Sequence, residues 1–346
     1  MTSSTAAPDL GEICRAALGR GLVSSAPIGA GRNSRVFRID LDGGDSPSSV
    51  VVKFYRRDSG DTRDRLGTEF ESLRFLWENG VRVIPRPIAI DRDRHFAMYE
   101  YIAGDVPASA SVTGPDIDAS VDFLGALERL RSVSASQALP AASEACFSLA
   151  EIVASIERRR ERLRRVPADS DDAVCMREWL GETFDPLMVE VETWCRAGAN
   201  RDGIAFDDAI GPSARTLSPS DFGFHNTIRR SDRTLVFLDF EYFGWDDPAK
   251  TIVDYLLHPG MALERSLKHR FASRILDAFA DVPLIAPRAR IVYPLFGLKW
   301  AMILLNEFLP ERAGQAMGER RLAQLQKAQT FTGHLASEYT RNPYLS

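Results

Sequence analysis

Asp221 and Asn226 lie five positions apart in a turn-rich segment, LSPSDFGFHNTIRRSDRTLVFLD, over residues 217–239. A short apolar strand signal, Leu235 to Leu238, then delivers a second carboxylate, Asp239. One carboxylate can orient a hydroxyl and accept its proton. An amide oxygen and a second carboxylate are hard oxygen ligands suited to Mg²⁺ beside a polyphosphate. The spacing therefore suits phosphoryl transfer to an alcohol, while the acidic cluster taken alone also fits a metal-dependent hydrolase.

The elements that must position these groups change character along the chain. A short amphipathic helix from about Pro8 to Gly19 precedes APIGAGRNSRVFRIDL, where Gly29 and Gly31 stand before an alternating segment in which Phe37, Ile39 and Leu41 share a face. That alternation predicts a strand, whereas a dinucleotide-binding glycine motif is followed by a helix and a Walker loop needs a G-K-[ST] that is missing here. A glycine turn between antiparallel strands is either a plain hairpin or a loop that approaches phosphates through its backbone. Val50 to Phe54 reads as a buried strand carrying one lysine, Lys53, which either meets an anion or reaches the sheet edge. Phe70, Leu73, Leu76 and Trp77 then recur at helical spacing between about Thr62 and Asn79, and VRVIPRPIAI and HFAMYEYIAGD give two more strands. Beyond Asp105 helices dominate: Val121–Ser132, Phe147–Arg165, Met176–Ala197 with a break near Pro186, and an apolar helix from about Pro294 to Leu309. Strands first and helices afterwards indicate an α+β chain.

Glycine turn, lysine, helix glutamate, polar bend, D-x-x-x-x-N and D-F-E-Y occur in that order over roughly residues 24–310. This order resembles the aminoglycoside phosphotransferase and choline kinase branch of the protein-kinase-like fold, and Asp239-Phe240-Glu241-Tyr242 is similar to the D-F-E-Y of choline kinases. The resemblance implies a two-lobed fold, with an N-terminal nucleotide-binding lobe (an antiparallel sheet plus a helix) over residues 1–102 and a mostly helical C-terminal lobe, carrying the catalytic and acceptor sites, over residues 103–346. It implies ATP and Mg²⁺ as cofactors and a small hydroxylated molecule, a sugar, amino-alcohol or aminoglycoside, as acceptor. Gly29, Gly31 and Ser34 (in place of a third glycine) would cover the phosphates, and Lys53 would address them while paired to Glu69, or to Glu71 as the fallback. Glu100 and Ile102 would sit in the hinge that reads adenine. Asp221 would be the catalytic carboxylate, Asn226 and Asp239 the metal ligands, and Asp247 and Asp254 structural braces. Pro219-Ser220 departs from the family's His-Gly or His-Asn before the catalytic aspartate, so a catalytically weak nucleotide-binding regulator, a pseudokinase, remains the alternative. No A-P-E segment follows Asp239, which disfavours a protein kinase.

Glu241 follows Asp239-Phe240, and Lys299, Asn306 and Glu307 interrupt an otherwise apolar helix, Lys299 and Asn306 being seven residues apart and so on nearly one face. These groups either line an acceptor pocket or pair internally. A net charge of -5, with 45% hydrophobic and 26% charged residues, fits an ordinary globular protein and argues against a nucleic-acid partner. Four scattered cysteines, no basic-then-apolar leader and no apparent bilayer-length apolar run lead to the expectation of a cytoplasmic protein without membrane contact. Five histidines without ligand spacing disfavour zinc.

Overall fold

The computed structural model describes residues 9–30, 34–43, 47–57, 63–312 and 318–345. The chain forms two compact units. Met1–Pro107, Val133–Ser143 and Asn226–Gly244 make the first, and Ala108–Ser132, Glu144–His225 and Trp245–Ser346 the second. The first break thus falls at Pro107, and the chain later returns to the first unit with the segment that carries Asn226 and Asp239.

In the first unit, α1 (Leu10–Leu18) leads into β1 (Leu22–Ala30), β2 (Ser34–Leu41) and β3 (Ser49–Tyr55); α2 (Arg65–Glu78), β4 (Pro87–Asp91) and β5 (Phe96–Glu100) follow. The strands pair antiparallel in the order β1-β2-β3-β5-β4. Because side chains alternate across a strand, Val50, Val52 and Phe54 share one face of β3. They pack with Ile39, Leu41, Phe96, Met98 and the α1 residues Ile13 and Cys14 as a core. Full burial of each such side chain contributes about 1.5–3 kcal/mol. The other parity, Lys53 and Tyr55, points to the α2 side, where the Tyr55 hydroxyl donates to Glu69 at 2.7 Å. The strand's period of two is therefore what presents one lysine to a buried helix glutamate.

Three-residue strands come later: β6 (Thr216–Ser218), β7 (Thr227–Arg229), β8 (Leu235–Phe237) and β9 (Gly244–Asp246). β7 and β8 form a hairpin that pairs Thr227 with Phe237. Gly104, at φ +149°, lies where a Cβ would sit 2.2 Å from the Arg229 carbonyl oxygen. Only glycine allows the approach that lets Asp105 exchange backbone hydrogen bonds with Arg229, at 3.2 and 2.8 Å.

The second unit is mostly helical. It contains α3 (Gly114–Leu130), α4 (Leu149–Arg164), α5 (Asp171–Trp179), α6 (Asp185–Arg201), α7 (Pro248–Leu257), α8 (Arg265–Ala278), α9 (Ile285–Leu304) and α10 (Gly318–Glu338). A capping box of Ser148 and Glu151 starts α4. The break expected near Pro186 occurs as a π-helical turn, Leu180–Phe184, which runs directly into α6 with Pro186 in its first turn. Pattern reading missed α8 and α10; in α10 only Leu325, Ala328, Thr332 and Leu335 are buried, a stripe too narrow to stand out. α9 begins earlier than expected, carries Pro294 inside it and ends at Leu304, after which Leu305–Phe308 is a 3₁₀ turn. Among the described residues, Ile285–Phe308 is the one segment long and apolar enough to span a bilayer, contrary to the expectation that no stretch would be. Its apolar window is 72% buried within the protein, as befits a core helix.

Candidate active site

The first unit holds a buried ionic cluster around Lys53. Its Nζ lies 2.6 Å from Glu69 Oε2, 2.7 Å from Asp239 Oδ1 and 4.0 Å from Glu241 Oε2. Burial alone would push the ammonium's pKa down, but Glu69, Asp239 and Glu241 outweigh it and hold the group above its ordinary value. Arg65, one helical turn before Glu69 on α2, donates to Glu241 at 2.5 Å and to the Tyr242 hydroxyl at 2.7 Å. The sequence offered a signal for Arg65, since its i,i+4 spacing to Glu69 puts both on one helix face. Glu241, expected on an acceptor wall, instead belongs to this cluster, buried against Arg65. Lys53 pairs with Glu69; the fallback Glu71 bonds Arg74 and Arg92 at the surface.

Asn226 and Asp239 meet at the open end of the β7–β8 hairpin. The Thr227–Phe237 pair and a 2.8 Å bond from Leu238 N–H to the Asn226 carbonyl place Asn226 opposite Leu238, the residue before Asp239. Asp239 has φ +64°, a left-handed conformation that aspartate tolerates better than most residues and that here turns the chain directly after the strand. An amide oxygen and a partly exposed carboxylate are a hard donor pair, whose chemistry fits Mg²⁺. Glu69, Asp239 and Glu241 also offer oxygens within 4.8 Å of one another, against which Lys53 and Arg65 supply the compensating charge.

Of the residues expected to cover the phosphates, Gly29 sits in β1 opposite Val36, next to a register slip, where a Cβ would meet nothing closer than 3.7 Å. Ser34 is buried at the start of β2, and Gly31 lies outside the described residues. The Glu100 carboxylate bonds Arg230 at 3.1 Å and the Arg86 N–H at 3.3 Å, and Ile102 is buried just beyond β5.

In the second unit, β6 runs into Pro219-Ser220-Asp221. The Asp221 N–H donates to the Pro219 carbonyl at 2.9 Å, the Ser218 hydroxyl accepts from the Ser220 N–H at 3.1 Å, and Ser220 has φ +71°. Asp221 Oδ1 faces two imidazoles, His225 Nε2 at 3.1 Å and His258 Nε2 at 3.4 Å. Burial would raise the carboxyl's pKa, but the hydrogen bonds from these histidines hold it below the usual carboxylate range. The two rings stack at 4.2 Å and 10°, and Trp300 packs edge-on to His258 at 4.6 Å while donating to Asp254 at 2.7 Å. Neither histidine stood out as an Asp221 partner in the sequence, because His258 comes from the distant C-terminal end of α7.

Asp246 and Asp247 are fully buried. Asp246 binds Lys250 at 2.5 Å, and Asp247 caps α7 through the Ala249 N–H at 2.8 Å and binds Arg288 at 2.7 Å. Lys299 pairs with Glu144 at 3.3 Å, and Glu307 lies 3.4 Å from both Arg312 and Arg320. α9 stops at Leu304, so Asn306 lies in the 3₁₀ turn that follows rather than in the helix expected to carry it. Lys299 and Glu307 thus follow the internal-pairing alternative.

The fold has known counterparts. A spectinomycin phosphotransferase in complex with ADP and spectinomycin superposes with TM-score 0.67 at 12% identity, covering 96% of this chain and 97% of that one. Choline kinase from Cryptosporidium parvum gives 0.62 at 12% identity over 94% and 95% of the two chains. The ADP-bound aminoglycoside phosphotransferase APH(2'')-Ib gives 0.59 at 15% identity over 94% and 97%. At such identities the likeness shows the fold, which is protein-kinase-like. No protein of curated function matches the sequence. The model of the phosphotransferase enzyme family matches residues 25–289, and with the Lys53 cluster, the Asn226–Asp239 hairpin and the Asp221 loop inside that span, the chain belongs to this family.

Proposed function

We propose that the protein is an ATP- and Mg²⁺-dependent kinase that transfers the γ-phosphate to a hydroxyl of a small molecule. The observation that carries this reading is Lys53 held in ion pairs with Glu69 and Asp239, a buried cation kept charged for the α and β phosphates. Asn226 and Asp239 would hold Mg²⁺, which would offset the charge of the phosphates. Gly29 and Gly31 would approach the phosphates through the backbone, and the chain from Glu100 to Ile102 would read the adenine. Asp221, kept ionised, would orient the acceptor hydroxyl and take its proton. ADP in two of the related structures supports nucleotide use.

The acceptor class we favour is a polyhydroxylated molecule or an amino-alcohol, supported by the spectinomycin and choline kinase relatives. Free cysteines throughout, three of them buried, favour action in a reducing cytoplasm. The test is ADP release from Mg·ATP across sugars, amino-alcohols, nucleosides and aminoglycosides. Turnover with at least one small hydroxylated compound is expected. Mg·ATP binding with no turnover on any acceptor would favour a regulatory nucleotide-binding protein, and phosphorylation of peptide serine or threonine alone would overturn the assignment.

A further inference from the structure

Asp221 lies in a loop without the family's preceding histidine, yet its carboxylate is met by two histidines from other positions. His225 comes from the turn after Asp221, and His258 from the C-terminal cap of α7. Both aim Nε2 at the same oxygen, Oδ1. Three such ligand atoms within 4.8 Å of one another also form a spacing that a metal ion would accept, so the first question is which of the two roles the local bonding permits.

The backbone of Gly260 decides it. Its N–H points at His258 Nδ1 over 3.1 Å. A peptide N–H can only donate, so Nδ1 must be the accepting nitrogen of a neutral ring, and the hydrogen of His258 sits on Nε2. That nitrogen then has no lone pair for a metal, and what it presents to Asp221 Oδ1 is a donor. The ring is fixed from its other sides as well. His225 stacks on it at 4.2 Å, and the Trp300 edge, itself tied to buried Asp254, closes against it at 4.6 Å. An added Cβ at Gly260 would stand 3.1 Å from the imidazole Cε1, so the ring would have to give by a few tenths of an ångström.

We propose that His258, locked as its Nε2–H tautomer by Gly260 and clamped between His225 and Trp300, is a positioning residue that holds the Asp221 carboxylate in its reactive orientation, in place of the histidine missing from the catalytic loop. The inference rests on the kinase reading of Asp221. His258 touches neither acceptor nor nucleotide in this role. It fixes one carboxylate oxygen so that the group meets the acceptor hydroxyl in a single orientation.

The experiment compares His258→Phe, which keeps a flat ring against His225 and Trp300 but has no donor, with His258→Gln, whose amide N–H reaches toward the Nε2 position. Phe should lower kcat by about 10-fold to 100-fold, since small misplacement of a catalytic group costs up to about 10²-fold. KM for ATP and the thermal midpoint should stay near wild type, and Gln should recover most of the loss. Equal kcat in wild type and His258→Phe would overturn the proposal, as would loss of kcat, ATP affinity and thermal stability together in both variants. A second arm does not depend on turnover: long-range ¹H–¹⁵N spectra of the imidazoles in the full chain. His258 should show a protonated Nε2 and an unprotonated Nδ1, and the Nε2–H resonance should move in Asp221→Asn. A protonated Nδ1, or Zn²⁺ added alone binding tightly to wild type and not to His258→Phe, would replace positioning with a metal site. If wild type turns over no acceptor, the kinase reading fails, while these spectra still decide whether His258 is a fixed donor to Asp221.

Discussion

Replacing Lys53 by Met removes the only cation in contact with Glu69 among the described side chains and leaves that carboxylate buried. Breaking a buried ion pair by deleting one partner costs about 3–5 kcal/mol. The low end, about 3 kcal/mol, is expected here, because the Tyr55 hydroxyl still donates to Glu69, Arg65 still holds Glu241, and Asp239 is 37% exposed and regains water. The loss should also depend on pH. Burial already pushes the Glu69 carboxyl's pKa up, and without Lys53 the strongest opposing influence is gone. The folded variant then binds a proton that the unfolded chain lacks above the ordinary glutamate pKa, so its stability falls as pH rises. Guanidinium denaturation followed by circular dichroism should therefore show a larger deficit, relative to wild type, at pH of about 8 than at about 5. Adding Glu69→Gln to Lys53→Met should recover part of the loss, since the stranded charge disappears with it. A Lys53→Met protein as stable as wild type, or a deficit that does not change with pH, would refute the cluster as described.

Asp239→Ala should abolish the Mg²⁺-dependent part of the thermal shift given by ATP, which for wild type reaches about 2.7 kcal/mol when ligand stands at 100 times Kd; a full metal-dependent shift in the variant would exclude Asp239 as a ligand. Asp40, which accepts from Ser24, Ser49 and Arg38, has its pKa lowered to about 2. Its contribution to stability is present above the ordinary aspartate pKa and fades as pH falls toward 2. A carboxyl-carbon NMR titration should show this low midpoint, and Ser24→Ala should raise it. Arg288→Met strands fully buried Asp247, whose carboxyl burial already pushes up, and should destabilise the second unit by about 3–5 kcal/mol; an unchanged denaturation midpoint would contradict the bracing role.

The sequence carried the parts of the site that repeat locally and much less of what depends on meeting across the chain. The period of two in β3 placed Lys53 on the face away from Val52, while Glu69 came as its partner from the family resemblance. Asp221, Asn226 and Asp239 were legible because all three fall within a short segment. Arg65 was overlooked because an arginine at the start of a helix usually faces solvent, although its i,i+4 spacing to Glu69 marked the shared face. His258 was hidden by distance, because nothing near LLHPG indicates the carboxylate it faces. The extent of the C-terminal apolar helix was misread for a local reason. The apolar run after Pro294 reads as one helix through Leu309, but the chain tightens into a 3₁₀ turn at Leu305, and Lys299 and Glu307 find partners in Glu144, Arg312 and Arg320.

The central claim is that phosphate moves from ATP to a small-molecule hydroxyl with Asp221 addressing the acceptor. The direct measurement follows γ-labelled ATP with the best acceptor of the panel, identifies the labelled product by mass, and compares wild type with Asp221→Asn. The label should appear on an alcohol oxygen of the acceptor, and Asp221→Asn should lower kcat by about 10²–10⁴ with near-normal ATP affinity. Label appearing only as inorganic phosphate, or an Asp221→Asn protein with wild-type kcat, would contradict the account.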